Sequence, residues 1–135
     1  MTEKSTEDHY LDLLSTFHYV AGGITAFFAL LPIIHLVVGI LMLQGVITDN
    51  GEALPPFAGW LFVTLGSVFL VAGMVIAVLM LIAGSRIKQR VSHTFCMVVA
   101  GIECLLMPYG TVLGVLSLVQ LTKPAVREMF DQPGV

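Results

Sequence analysis

The chain has 135 residues, 57% of them hydrophobic and 11% charged, with a formal net charge of -3 and a mean hydropathy of +0.95. A soluble domain carries about 25% charged residues, so this composition excludes a globular surface clothed in polar side chains and describes an integral membrane protein whose first partner is the lipid bilayer; its long apolar runs make it all-α. It also lacks the basic patch that nucleic-acid binding requires.

The first twelve residues, MTEKSTEDHYLD, are acidic. They do not form the positively charged start of a cleavable signal peptide, so the first apolar segment is expected to remain in the protein. Residues 13–47 are almost continuously apolar and interrupted at Pro32. The run is too long for one span of about 20 residues and suits two short ones. Because proline removes a helical hydrogen bond, the spacing predicts helices over about 13–31 and 33–47 with a turn at Pro32. The alternative is one long, kinked helix.

Residues 48–56, TDNGEALPP, read as a loop of turn formers, and paired prolines suit the first turn of the next helix. That helix is expected over about 57–84, long enough to span with tilt, and ends in the basic segment SRIKQR at 85–90. Residues 92–122 repeat the first pattern, with Pro108 and Gly110 dividing helices expected over about 92–107 and 109–122. The termini are polar. The sequence thus predicts two proline-broken hairpins around one long central helix, with five transmembrane helices, or four if 13–47 is a single span. Residues 16–26, TFHYVAGGITA, match 94–104, TFCMVVAGIEC, at five positions of eleven, which suggests an internal repeat.

Orientation follows from Arg86, Lys88, Arg90, Lys123 and Arg127, since basic residues gather on the cytoplasmic side. The loop 48–56 is expected outside, and segments 85–90 and 123–135 in the cytoplasm. Five helices would put the N-terminus and Tyr10 outside, and Pro108 at the outer turn.

Glu103 is the one acidic residue within the apolar runs, and a carboxylate in hydrocarbon is costly and usually functional. Five residues before Pro108, it falls roughly 7 Å inside the turn. His18 falls at a similar depth, which predicts a His18–Glu103 contact. His35 and His93 are interfacial residues or, with His18, weak candidates for haem ligation through neutral imidazole. Cys96 and Cys104 read as small buried apolar groups. Gly59, Gly66 and Gly73 recur every seven residues, with Ala77 extending the stripe, and Gly110 and Gly114 form a second small pair. Small residues let helices approach closely in lipid, so these are helix-packing positions. No catalytic motif or metal site is found, and no enzyme activity is expected.

The run MPYGTVLGVLSLVQLTKPAVREMF at 107–130 contains a Pro-x-Gly-Thr turn and a Pro-x-Val-Arg-x-x-Phe tail, and the start, YLDLLSTFHYVAGGITAFFALLPIIHLVVGILML, accompanies them. In these features the chain resembles small bacterial multi-helix membrane proteins of unknown function. The resemblance implies a bacterial inner-membrane location and no activity. Three functional expectations remain. The first is a non-enzymatic accessory or structural subunit, partnered by other membrane subunits or by itself. The second is a small oligomeric transporter or channel using Glu103 and His18. The weakest is a haem-binding membrane protein.

Overall fold

A computed structural model of the chain describes residues 3–132, with side chains described from residue 6. The element order is α1 (Glu3–Ala29), α2 (Ile33–Leu43), β1 (Thr48–Asp49), β2 (Glu52–Ala53), α3 (Pro56–Gln89), α4 (His93–Glu103), α5 (Tyr109–Leu121) and α6 (Pro124–Asp131). The fold is all-α apart from the two-residue antiparallel pair β1–β2, which closes the loop with Asn50 and Gly51 at positive φ. The expected polar termini lie partly outside the described residues.

Two stretches are long and apolar enough to cross a membrane: Thr6–Leu43 and Pro56–Gln89. Only 11% and 17% of their most apolar windows are buried, so they do not behave as core helices of a soluble protein. Phe27, Val37, Trp60, Phe69 and Val71 are among the many large apolar side chains left exposed, as lipid-facing residues should be. The number of spans expected from the sequence, four to five, exceeds these two.

The chain divides into two compact units, one of Ile24–Ile76 and the other of Met1–Gly23 with Ala77–Val135. In the first, the end of α1 and all of α2 lie antiparallel along α3. A Cβ added at Gly73 would meet Ala29 at 2.8 Å, one at Gly66 would meet the Pro32 carbonyl at 3.1 Å, and one at Gly39 would meet Val63 at 2.8 Å. Gly59 completes the series against Leu43 at 2.7 Å. The partners of α3 therefore run in one unbroken order through Pro32.

This corrects the expected first hairpin. Pro32 is a kink within a continuing helical path, not a reversal. Leu30, Leu31, Ile33 and Ile34 donate to carbonyls three residues back, and Leu36 donates to Pro32 itself. Proline costs one backbone bond, but the flanking residues supply no turn former. A reversal there would leave backbone groups unpaired in hydrocarbon.

In the second unit α4 and α5 do form a hairpin. The turn at 104–108 includes a cis Met107–Pro108 bond. Its glycines explain why this segment reverses where the first does not. A Cβ at Gly114 would sit 2.5 Å from the Ala100 carbonyl, and one at Gly110 would meet Leu106 and the Glu103 carbonyl. The two backbones touch, as small residues permit in lipid. Ala77, Met80, Ala83 and Ile87 form the buried stripe of α3 here, and Leu11, Leu14, His18 and Ala21 that of α1. Helix α6, absent from the sequence-based prediction, buries Val126 and Phe130 one turn apart and leaves Arg127 and Glu128 exposed.

Candidate functional site

Asp8, Arg90 and Lys123 mark one end of the second unit. The Arg90 guanidinium pairs with the Asp8 carboxylate. Lys123 Nζ lies 3.3 Å from Glu7 Oε1 and over the Tyr10 ring. Arg86 donates to Ser92 Oγ at 2.5 Å and stands over Phe95. Arg90 and Ser92 both take left-handed backbone conformations, φ 54° and 57°, uncommon for residues other than glycine. The two side-chain contacts hold that tight turn. The start of α1 therefore shares an end with the basic segment, which removes the expected placement of the N-terminus and Tyr10 on the opposite side.

His93 closes the same end. Its Nε2 donates to the Leu121 carbonyl at 2.6 Å, and its ring meets Phe130 edge-on. This ties the first residue of α4 to the last of α5 and to α6. His35 is exposed in the other unit and stacks on Phe62. The candidate haem ligands are thus engaged separately, and no group of three or more metal-ligating side chains occurs among the described residues.

His18 and Glu103 meet in the interior. His18 Nε2 is 3.2 Å from Glu103 Oε2, and both side chains are sealed, at 0% and 1% exposure. His18 Nδ1 lies 2.9 Å from the Leu14 carbonyl. A carbonyl only accepts, so Nδ1 carries a hydrogen and Nε2 is the atom turned toward the carboxyl group. A charge left without a partner in this apolar interior would be expensive. His18 Nε2 and both Glu103 carboxyl oxygens lack a hydrogen-bond partner among the described residues, so the pair is a close contact without a well-aligned hydrogen bond.

Two residues the sequence reasoning passed over position His18. A Cβ at Gly84 would come within 3.1 Å of His18 Cβ and 3.2 Å of the Ser15 carbonyl, so glycine lets α1 lie flat on α3 at that level. Ser15 Oγ donates to the Gly84 carbonyl at 2.7 Å and is itself buried. Gly84 follows Ala77 by seven residues, so extending the small-residue stripe by one more step would have found it. Cys96 on α4 is buried and Cys104, which begins the turn after it, is half-buried; both are free. Cys104 Sγ lies against Gly114.

Compared with family models, with curated proteins and with solved structures, the chain matches none.

Proposed function

We propose that this is a multi-pass protein of the bacterial inner membrane that catalyses no reaction and acts by assembly, as an accessory subunit of a membrane complex or as a homo-oligomer. The loop 48–56 lies outside. The N-terminus, segment 85–90 and segment 123–135 lie in the cytoplasm. The basic residues support that orientation, and the Asp8–Arg90 and Glu7–Lys123 contacts bring the N-terminus to the same side. The observation that carries the reading is the distribution of chemistry: a surface of exposed apolar side chains around a single closed histidine–glutamate pair.

Native mass spectrometry of the protein extracted from its own membrane in mild detergent tests this. A stable complex with other chains, or a defined homo-oligomer, is the expected result. A bare monomer that retains its fold would overturn it.

A second reading has its own observation. The Glu103 carboxyl group is fully buried against His18, and neither of its oxygens has a hydrogen-bond partner among the described residues. A buried carboxyl group beside a histidine is the kind of group that proton-coupled transporters place within the membrane. In this reading the oligomer is a small transporter or channel, and Glu103→Gln abolishes proton-coupled flux in proteoliposomes while the assembly survives. Unchanged flux would remove the residue from the mechanism. The separate engagement of His18, His35 and His93 leaves haem binding without support in the geometry.

A further inference from the structure

We infer that α4 and α5 form a re-entrant hairpin whose tip, residues 104–108, stays in the hydrocarbon of the bilayer and reaches neither the outer nor the inner aqueous phase. The inference rests on the membrane reading above and goes beyond it by assigning lipid acyl chains as the partner of this tip.

Both ends of the hairpin are fixed at one face. Arg90, just before it, pairs with Asp8, and Lys123, just after it, pairs with Glu7. His93 joins the hairpin's two ends through the Leu121 carbonyl. The hairpin must therefore return to the face it leaves.

Its arms are too short to cross. Helix α4 has 11 residues and α5 has 13, which at 1.5 Å per residue are about 16 Å and about 20 Å long. The hydrocarbon is about 30 Å thick. Leu105, twelve residues past His93, lies at most about 18 Å from the face the hairpin leaves, within the hydrocarbon and short of its far side.

The tip has the surface of a lipid-facing element. Leu105 and Met107 are each 82% exposed, and Pro108 and Tyr109 are exposed beside them. Between Arg90 and Lys123 the only Asp, Glu, Lys or Arg is Glu103, which is turned inward onto His18. A turn that met water would be expected to carry polar residues, as the TDNGE loop of this same chain does.

Non-helical backbone at membrane depth must satisfy itself, and this turn largely does. The amides of Cys104, Leu105 and Leu106 donate to the Ala100, Ile102 and Glu103 carbonyls. Thr111 donates twice across the turn, from its amide to the Leu106 carbonyl and from Oγ1 to the Cys104 carbonyl. Pro108 has no amide hydrogen to satisfy.

Fluorescence quenching by brominated phospholipids tests the placement. Trp60 is the only tryptophan. Trp60→Phe clears the background, and Leu105→Trp and, separately, Phe69→Trp introduce probes at two exposed positions. Vesicles carry bromine either midway along the acyl chain or next to the headgroup. The Leu105→Trp protein is expected to be quenched more strongly by mid-chain than by headgroup bromine. Stronger headgroup quenching would make the hairpin a crossing one with its tip at an interface, and no quenching at all would place the tip in water or under protein. Either result overturns the inference. The Phe69→Trp probe, on the long apolar helix α3, separates the two readings. If it is quenched by mid-chain bromine while Leu105→Trp is not, the re-entrant hairpin fails and the membrane assignment stands. If neither probe is quenched, the membrane assignment itself fails. Met107→Trp repeats the measurement should Leu105→Trp not fold.

Discussion

The His18–Glu103 pair makes a sharp energetic prediction, because removing one member and removing both have different consequences. At 3.2 Å, two unit charges in an effective dielectric of 20 attract by about 5 kcal/mol, and burial of both groups offsets much of this. His18→Leu strands a fully buried carboxyl group with no partner and should destabilise the protein by about 3 kcal/mol. Glu103→Leu leaves only the imidazole Nε2 unpaired, at a cost of about 1–3 kcal/mol. The double variant replaces the pair with apolar side chains in an apolar interior and should cost no more than about 1–2 kcal/mol. The single effects should therefore exceed the double by about 2 kcal/mol or more. The assay is reversible unfolding in mixed micelles of rising SDS fraction, followed by circular dichroism on all four proteins. Effects that add to within about 0.5 kcal/mol would mean that the two groups do not interact in the folded protein. The geometry of the pair would then carry no functional argument.

The glycines separate into those that are packed and those that are free. Gly114→Leu should disrupt the α4–α5 hairpin, because backbone and a sulfur stand 2.5 and 2.6 Å from its added Cβ; cross-linking between cysteines placed on the two arms would be lost. Gly101→Ala, with nothing within 4 Å of the new Cβ, should instead stabilise helix α4 by up to about 1 kcal/mol, and a loss of stability in the same SDS titration would contradict that reading. At the basic end, His93→Phe removes the bond to the Leu121 carbonyl and should cost about 1–2 kcal/mol. The loss should appear first as faster amide exchange in α6, and unaltered exchange there would refute the role of His93 as a tie.

The extent to which the sequence reveals the molecule differs from one feature to the next, and the differences have physical causes. Composition indicates an apolar chain, because too few charged residues exist to face water, and the length of its apolar runs makes it all-α. The seven-residue spacing of Gly59, Gly66 and Gly73 points to a packed stripe, and each of the three lies against a residue of α1 or α2. What the sequence does not resolve is whether a proline in an apolar run bends the chain or turns it back. Pro32 and Pro108 sit in similar surroundings and do opposite things. The difference is set by Gly110 and Gly114, which let α5 lie directly on α4, while the first segment has no glycine between Pro32 and Gly39. That ambiguity propagates. With Pro32 as a turn, His18 and Glu103 are placed toward the outer face; with Pro32 as a kink, the same two side chains still meet, but Gly84 at their level stands only two residues before Arg86, on the basic side. Their contact survives the change because equal depth is a relation between the two residues and does not depend on which face the depth is measured from. The end of the second unit at which α1 starts is fixed by the carboxylates Glu7 and Asp8, whose partners Lys123 and Arg90 are more than eighty residues away in the chain and so leave no local pattern to read.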